Sequence, residues 1–329
     1  MGSSGQPGRV IPPTRPPSLC GRVFRGRAVV GAGLLTPKQL RSRAWRRVYR
    51  DVYADAELLV THELAIAGAA LIVPGTAVFG GRTAAYLLGA DSLVDAATPV
   101  EVIVPEDDRF GPVAGLRIRR ASLTAADVRS VRRYSCTTPL RTALDISRGE
   151  ELPDAVPALD VLLRQGLLRM GDLVEAADAL PSGRGSRKAR RAVELADERA
   201  ESPPESRLRL MLRLAGLTPE PQFVVRDTEG RFLARVDLAF PELKIAIEYD
   251  GAWHGRPGQL ARDRRRLNAL VAAGWRVLHV TAGDMLVTDG LVAAVRQLIP
   301  ARGVAAHSAE AEWATTPRSA GIRDTARRS

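Results

Sequence analysis

The sequence predicts an α/β chain in two parts: a basic N-terminal region of short helices and strands, then a C-terminal domain in the order helix, three-stranded antiparallel meander, helix, strand. Three observations lead there. Apolar residues alternate with a period of two over 222–226, 232–240 and 243–250, and turn-forming residues at Asp227 to Gly230 and Pro241-Glu242 separate the runs. Helical patterns flank them at 203–214, ended by Gly216, and at 259–273, ended by Gly274, before a further strand at 275–281 and a last helix at 288–298. The positive charge is segregated at the start of the chain.

That segregation bounds the partners. The 329 residues hold 48 Lys and Arg against 37 Asp and Glu, a net charge of +11. Residues 1–50 contain eleven bases and no acid, so the remainder is neutral overall and a footprint for a polyanion belongs in the first part. Cys20 and Cys136 are far apart and the four histidines lack metal-type spacing, which excludes a disulfide framework and a structural zinc site and suggests a cytoplasmic protein. The most apolar stretch, 64–80, is broken by Pro74 and Gly75 and is short for a membrane span.

In chain order, residues 1–18 read as a disordered basic tail rich in proline. A DNA-binding region follows over 19–95. Thr36 caps a helix with Pro37 at its first position, running to about residue 44, and 45–53 then alternates as one short half-exposed strand that suits a wing. Here Lys38, Arg41, Arg43, Arg46 and Arg47 are the candidate phosphate contacts. Val29-Val30-Gly31-Ala32-Gly33 lacks the third glycine and the context of a dinucleotide fingerprint. Residues 61–73 and 83–88 read as helices. An α+β extension over 96–180 places strands within 98–120, on either side of a Gly111-Pro112 turn, and helices over 140–180. Pro181 to Arg187 is a linker by composition, 188–299 the second domain, opened by a helix at 188–199, and 300–329 a disordered polar tail.

The chemistry lies in the second domain. A hairpin closed around Pro241-Glu242-Leu243 sets Asp237 opposite Glu248 in the simplest register. Period-two alternation then gathers Asp237, Ala239, Lys244, Ala246, Glu248 and Asp250 on one face, against Val236, Leu238, Phe240, Ile245, Ile247 and Tyr249 on the other. Three carboxylates on one patch repel unless a cation relieves them, and oxygen donors of this kind suit Mg²⁺ or Mn²⁺. The plain alternative is a solvated sheet face. Against it stands Glu248-Tyr249-Asp250-Gly251-Ala252-Trp253-His254, which sets a titratable imidazole in the loop after the acidic strand end. Glu205 fits two roles: Ser202-Pro203-Pro204-Glu205 is a capping box, and the same carboxylate is available to a site.

Five ordered blocks carry a resemblance: Pro204 to Arg209, Val236-Asp237-Leu238, Glu248 to His254, Arg262 to Leu267, and Ala273 to Leu278. Over about 200–285 the chain resembles very short patch repair endonucleases and related domains of the PD-(D/E)XK superfamily. The resemblance implies a restriction-endonuclease-like fold and a metal-dependent phosphodiester hydrolase. In it Asp237 is the metal-binding aspartate, Glu248 the acid of the (D/E)XK element, Glu205 the helical acid and His254 the imidazole. Asp250 stands where the superfamily has its lysine. Arg262, Arg264 and Arg265 would hold a DNA strand through its phosphates.

The first part resembles AbiEi-type antitoxin proteins of actinobacteria, which have a truncated winged-helix start. Gly33 to Leu40, Tyr49 to Tyr53, Gly81 to Gly89 and Thr138 to Asp145 carry that similarity. It implies DNA binding and a toxin or defence partner protein. The expectation is therefore a Mg²⁺- or Mn²⁺-dependent DNA endonuclease. The alternative is a non-enzymatic DNA-binding transcriptional regulator whose nuclease fold has lost turnover.

Overall fold

The computed structural model describes residues 15–251 and 259–300, with the backbone alone for 259–263. The chain forms two compact units that interleave in sequence, Met1–Glu150 with Gln165–Val193, and Glu151–Arg164 with Glu194–Ser329. No helix among the described residues is long and apolar enough to cross a membrane.

The first unit opens with β1 (Val23–Arg25), α1 (Gly26–Gly31), α2 (Pro37–Leu40), β2 (Trp45–Tyr49) and β3 (Val52–Asp55), whose strands form a three-stranded antiparallel sheet in the order β1-β3-β2. Thr36 and Gln39 cap α2 reciprocally: Thr36 Oγ1 accepts from the Gln39 amide and Gln39 Oε1 from the Thr36 amide. The helix is one turn long rather than reaching residue 44, ending at Leu40 with Arg41 as its C-cap, and Leu40 and Ala44 pack in a core with Phe24, Val29, Leu35 and Trp45. The single strand expected over 45–53 is a hairpin. Asp51 turns it with a left-handed backbone (φ 62°), and the Asp51 carboxylate accepts the Arg27 amide at 2.8 Å and the Arg25 and Arg27 side chains. Residues 15–18 of the expected tail also belong to the fold, since Arg15 pairs with Asp55 at 2.6 Å and Pro17–Leu19 makes a 3-10 turn that buries Leu19. Residues 1–14 and 301–329 lie outside the described residues.

There follow α3 (His62–Ala69), β4 (Val78–Phe79), α4 (Gly81–Leu87), β5 (Val100–Val104), β6 (Leu116–Arg120), β7 (Val128–Val131), β8 (Tyr134–Thr137), α5 (Pro139–Gly149), α6 (Leu152–Arg164), α7 (Met170–Asp178) and α8 (Ser186–Leu195). The five strands order as β6-β5-β4-β8-β7. β5 and β6 run parallel, so Gly111-Pro112 lies in a returning connection rather than a hairpin turn. β4, β7 and β8 span only two to four residues, too few for alternation to reveal them.

The dividing line between units differs from the predicted linker at 181–187. α6 joins the second unit because its Asp160 meets Arg209 at 2.6 Å with both side chains 1% exposed, and Asp160 also accepts the Asp197 amide at 2.7 Å. Arg209 donates in addition to the Leu195 carbonyl at 2.7 Å. This buried ion pair, with further hydrogen bonds from the Arg209 guanidinium to the Leu195 carbonyl and from the Asp197 amide to Asp160, ties the helix to its neighbours, although Arg209 Nε is buried without a partner among the described residues.

The second unit continues with α9 (Pro203–Leu214), β9 (Glu220–Arg226), β10 (Phe232–Phe240), β11 (Ile245–Asp250), α10 (Gln259–Ala272), β12 (Arg276–Thr281) and α11 (Thr288–Leu298). β9, β10 and β11 form an antiparallel meander, and β12 adds parallel to β11 after α10. The sheet is covered on both faces. Leu208 and Leu212 of α9 and Leu291 and Val295 of α11 pack with Leu238, Phe240, Ile245 and Ile247; Leu270 of α10 and Trp275 pack with Val225, Ala234, Val236, Ala239 and Ala246. The face expected to carry the acids is therefore not solvated, and Val236 shares it instead of lying opposite. The alternation slips at Asp237, where the ladder pairs Val236 with Phe223 and Leu238 with Pro221, and the intervening Gln222 has a left-handed backbone.

Candidate active site

The β10–β11 register, Leu238 with Ile247 and Ala239 with Ala246, leads to Asp237 opposite Glu248 at the end of the hairpin ladder. Asp237 Oδ2 accepts the Tyr249 amide at 2.8 Å. Burial pushes the Asp237 carboxyl up to about 6; the Tyr249 amide opposes this, the negative charges of Glu205 and Glu248 add to it, and Arg266 counters them. Glu248 is 6% exposed. Its Oε2 accepts from the Arg266 guanidinium, which also donates to the Arg235 carbonyl at 2.9 Å. Its Oε1 is buried with no hydrogen-bond partner among the described residues. Burial raises the Glu248 pKa, against the positive charge of Arg266 and the His279 imidazole.

Glu205 stands at the third position of α9. Ser202 Oγ accepts the Glu205 amide at 3.4 Å and donates to Glu205 Oε1 at 2.7 Å. The return half of the cap reaches one residue further than the usual box, to the Glu201 amide at 3.0 Å, and the same Oε2 accepts from Gln222 Nε2 at 2.9 Å. Glu205 thus caps the helix while its charge is felt at Asp237. Asp250 is exposed, with Oδ2 3.1 Å from His279 Nδ1. His254 lies outside the described residues.

Three groups here were not singled out from sequence. Arg266 belongs to the run from Arg262, but only the packing of α10 against the sheet turns it onto Glu248, while Arg264 and Arg265 are exposed and the Arg262 side chain lies outside the described residues. His279 becomes a neighbour through the parallel pairing of Glu248 with His279. Gln222 had one faint signal, an amide directly before the apolar run Phe223-Val224-Val225.

No three His, Cys, Asp or Glu side chains among the described residues converge to ligate one metal ion. Asp237 and Glu248 offer a two-carboxylate arrangement instead. That fits Mg²⁺, which is commonly held by one or two carboxylates with waters and substrate phosphate completing its shell, and the partnerless Glu248 Oε1 is a donor of the right chemistry.

In the first unit, Lys38, Arg41, Arg43 and Arg47 are exposed along α2, the turn after it and β2. Arg46 has a structural task, donating to the carbonyls of Leu58 at 2.7 Å and Ala56 at 3.0 Å. Arg15, Arg25 and Arg27 are neutralised by Asp55, Glu57 and Asp51.

No family model matches the chain. A crystal structure of the RV2827C protein from Mycobacterium tuberculosis is similar at a TM-score of 0.37 with 16% identity, over 61% of this chain and 78% of that one. The uncharacterized proteins Rv2248 and MT2308, from the H37Rv and CDC 1551 strains of Mycobacterium tuberculosis, are each 30% identical over 258 residues, 78% of this chain and 92% of theirs. At that identity and coverage, the chain belongs to the family of the mycobacterial proteins Rv2248 and MT2308.

Proposed function

We propose that the second unit is a divalent-metal-dependent endonuclease domain of the very short patch repair-like PD-(D/E)XK kind, hydrolysing DNA phosphodiester bonds. One observation carries the reading: Asp237 and Glu248 face each other across a hairpin in a buried setting that raises both carboxyl groups, and Glu248 keeps one oxygen without a partner. Such an arrangement costs stability unless a cation binds there.

Asp237 and Glu248 would hold Mg²⁺ or Mn²⁺, which when bound supplies Lewis-acid polarisation of the phosphate and a more acidic water. Arg266 fixes one oxygen of Glu248 and leaves the other available. Glu205, anchored by Ser202, Glu201 and Gln222, would orient water by accepting its hydrogen bond. Arg264 and Arg265 on α10 would contact backbone phosphates, as would Lys38, Arg41, Arg43 and Arg47 of the first unit, whose α2–β2–β3 arrangement we read as a shortened winged helix.

A second reading has an observation of its own. Arg266 already places a positive charge on Glu248, as a protein that has dispensed with the metal would need, and Asp250 replaces the superfamily lysine. That reading is a DNA-binding regulator with an AbiEi-like first unit, a toxin or defence partner protein and no turnover. Incubating plasmid, mismatched and single-stranded DNA with the full-length protein and Mg²⁺ or Mn²⁺ separates the two. Cleavage that disappears in Asp237→Ala and Glu248→Ala supports the nuclease; DNA binding without cleavage under any metal supports the regulator.

A further inference from the structure

Four non-glycine residues among those described have a left-handed backbone: Asp51, Arg132, Gln222 and Lys244. Asp51 lies between β2 and β3, Arg132 between β7 and β8, and Lys244 at the turn into β11, where reversal of the chain demands such a conformation. Gln222 alone sits inside a strand, in β9 with φ 52°. A residue with a Cβ is disfavoured there, and strain of this kind persists where the surroundings impose it and tends to gather at functional sites.

The position explains what the conformation achieves. Gln222 lies across from Asp237, between the ladder pairs Phe223–Val236 and Pro221–Leu238. The backbone there leaves the strand alternation, and the side chain reaches the start of α9, where Nε2 donates to Glu205 Oε2 at 2.9 Å. Glycine would take up the same backbone at no steric cost, so a strained glutamine at this point makes sense through its amide.

We propose that Gln222 is a positioning residue of the nuclease site: it holds the Glu205 carboxylate toward Asp237 and acts on the chemistry through Glu205. This assignment rests on the nuclease reading. Gln222 joins the turned strand to the capped helix, so Glu205 is held from two elements at once, by Ser202 and Glu201 on one side and by Gln222 on the other.

The test uses the full-length protein and a double-mutant cycle of Gln222→Gly and Glu205→Gln, with thermal melting, Mg²⁺-dependent cleavage and DNA affinity in Ca²⁺ as readouts. Gln222→Gly should melt at the wild-type temperature or above it, bind DNA within twofold of wild type, and lower the cleavage turnover at least tenfold. In the Glu205→Gln background it should cause no further loss, because the group it acts through is already altered. Gln222→Ala, which loses the amide and keeps the strain, should match the loss of turnover while melting lower. Wild-type cleavage by Gln222→Gly, alongside an inactive Asp237→Ala control, overturns the assignment and leaves the nuclease standing. Losses that multiply in the double variant also overturn it. A wild-type protein without metal-dependent cleavage, or an equally active Asp237→Ala, sinks the nuclease reading and this role with it.

Discussion

Replacing Asp237 by Asn should make the protein more stable at neutral pH, and the structure sets the size of the gain. The Asp237 carboxyl is raised from 3.8 to about 6. At about 1.4 kcal/mol for each pH unit, that displacement corresponds to about 3 kcal/mol lost when the group ionises in the folded state. The side chain is partly exposed, and solvent screening reduces the figure to about 2 kcal/mol. The sign follows from the direction: a carboxyl whose folded pKa lies above its unfolded value contributes stability that is whole below pH 3.8 and is lost as pH rises through about 6. Asn keeps an oxygen to accept the Tyr249 amide, so that hydrogen bond survives. Urea unfolding in EDTA should therefore give equal stability for wild type and Asp237→Asn near pH 3.5, and an advantage of about 2 kcal/mol for the variant at pH 7.5. Adding Mg²⁺ at pH 7.5 should stabilise the wild type and leave the variant unmoved. A variant equal to or weaker than wild type at pH 7.5, or a difference that does not change with pH, would refute the claim that this carboxylate is held at a cost until a cation binds.

Glu205→Gln keeps an oxygen for the Glu201 amide, so melting should hardly change, while cleavage should fall about a hundredfold if the charge takes part in the chemistry. Combining Lys38→Ala, Arg41→Ala, Arg43→Ala and Arg47→Ala should lower the slope of log affinity against log salt for duplex DNA by up to about 3.6, at about 0.9 for each phosphate no longer neutralised. An unchanged slope would assign phosphate binding to other basic residues. Arg209→Met strands the buried Asp160 and should cost about 3–5 kcal/mol, whereas Asp160→Leu with Arg209→Met should recover most of it; denaturant unfolding reads both. Burial lowers the pKa of His62 in the first unit below its ordinary 6.5. The unfolded chain therefore binds its proton first, and stability should fall as pH drops through 6.5, with His62→Asn flattening that part of the profile.

The second unit was legible in sequence wherever the governing interactions are local. Turn residues at Asp227 to Gly230 and at Pro241 bound the strands, the Ser202 cap and Gly216 bound α9, and the short β10–β11 connection fixes which residues face each other, so Asp237 and Glu248 could be paired by arithmetic along the chain. Capping by Thr36 was legible for the same reason: the partners lie three residues apart. The short strands β4, β7 and β8 escaped because two to four residues define no period.

Tertiary structure decided whatever depends on groups distant along the chain. Alternation sorts side chains into two sets but cannot tell whether a helix covers each; α9 and α11 cover one face and α10 the other, and this turns a plausible solvated acidic face into a buried pair with shifted protonation. Arg266 reaches Glu248 from 18 residues away, and His279 through a parallel strand beyond α10. α6 was assigned to its unit by the Asp160–Arg209 pair, 49 residues apart. The left-handed Gln222 has no local requirement at all, since nothing in Pro221-Gln222-Phe223 asks for that backbone. The hydrogen bond from the Gln222 amide to Glu205 and the gap in the β9–β10 ladder at Gln222 and Asp237 exist only once β9, β10 and α9 are packed together, so the sequence named the acids and the packing supplied the buried environment around them.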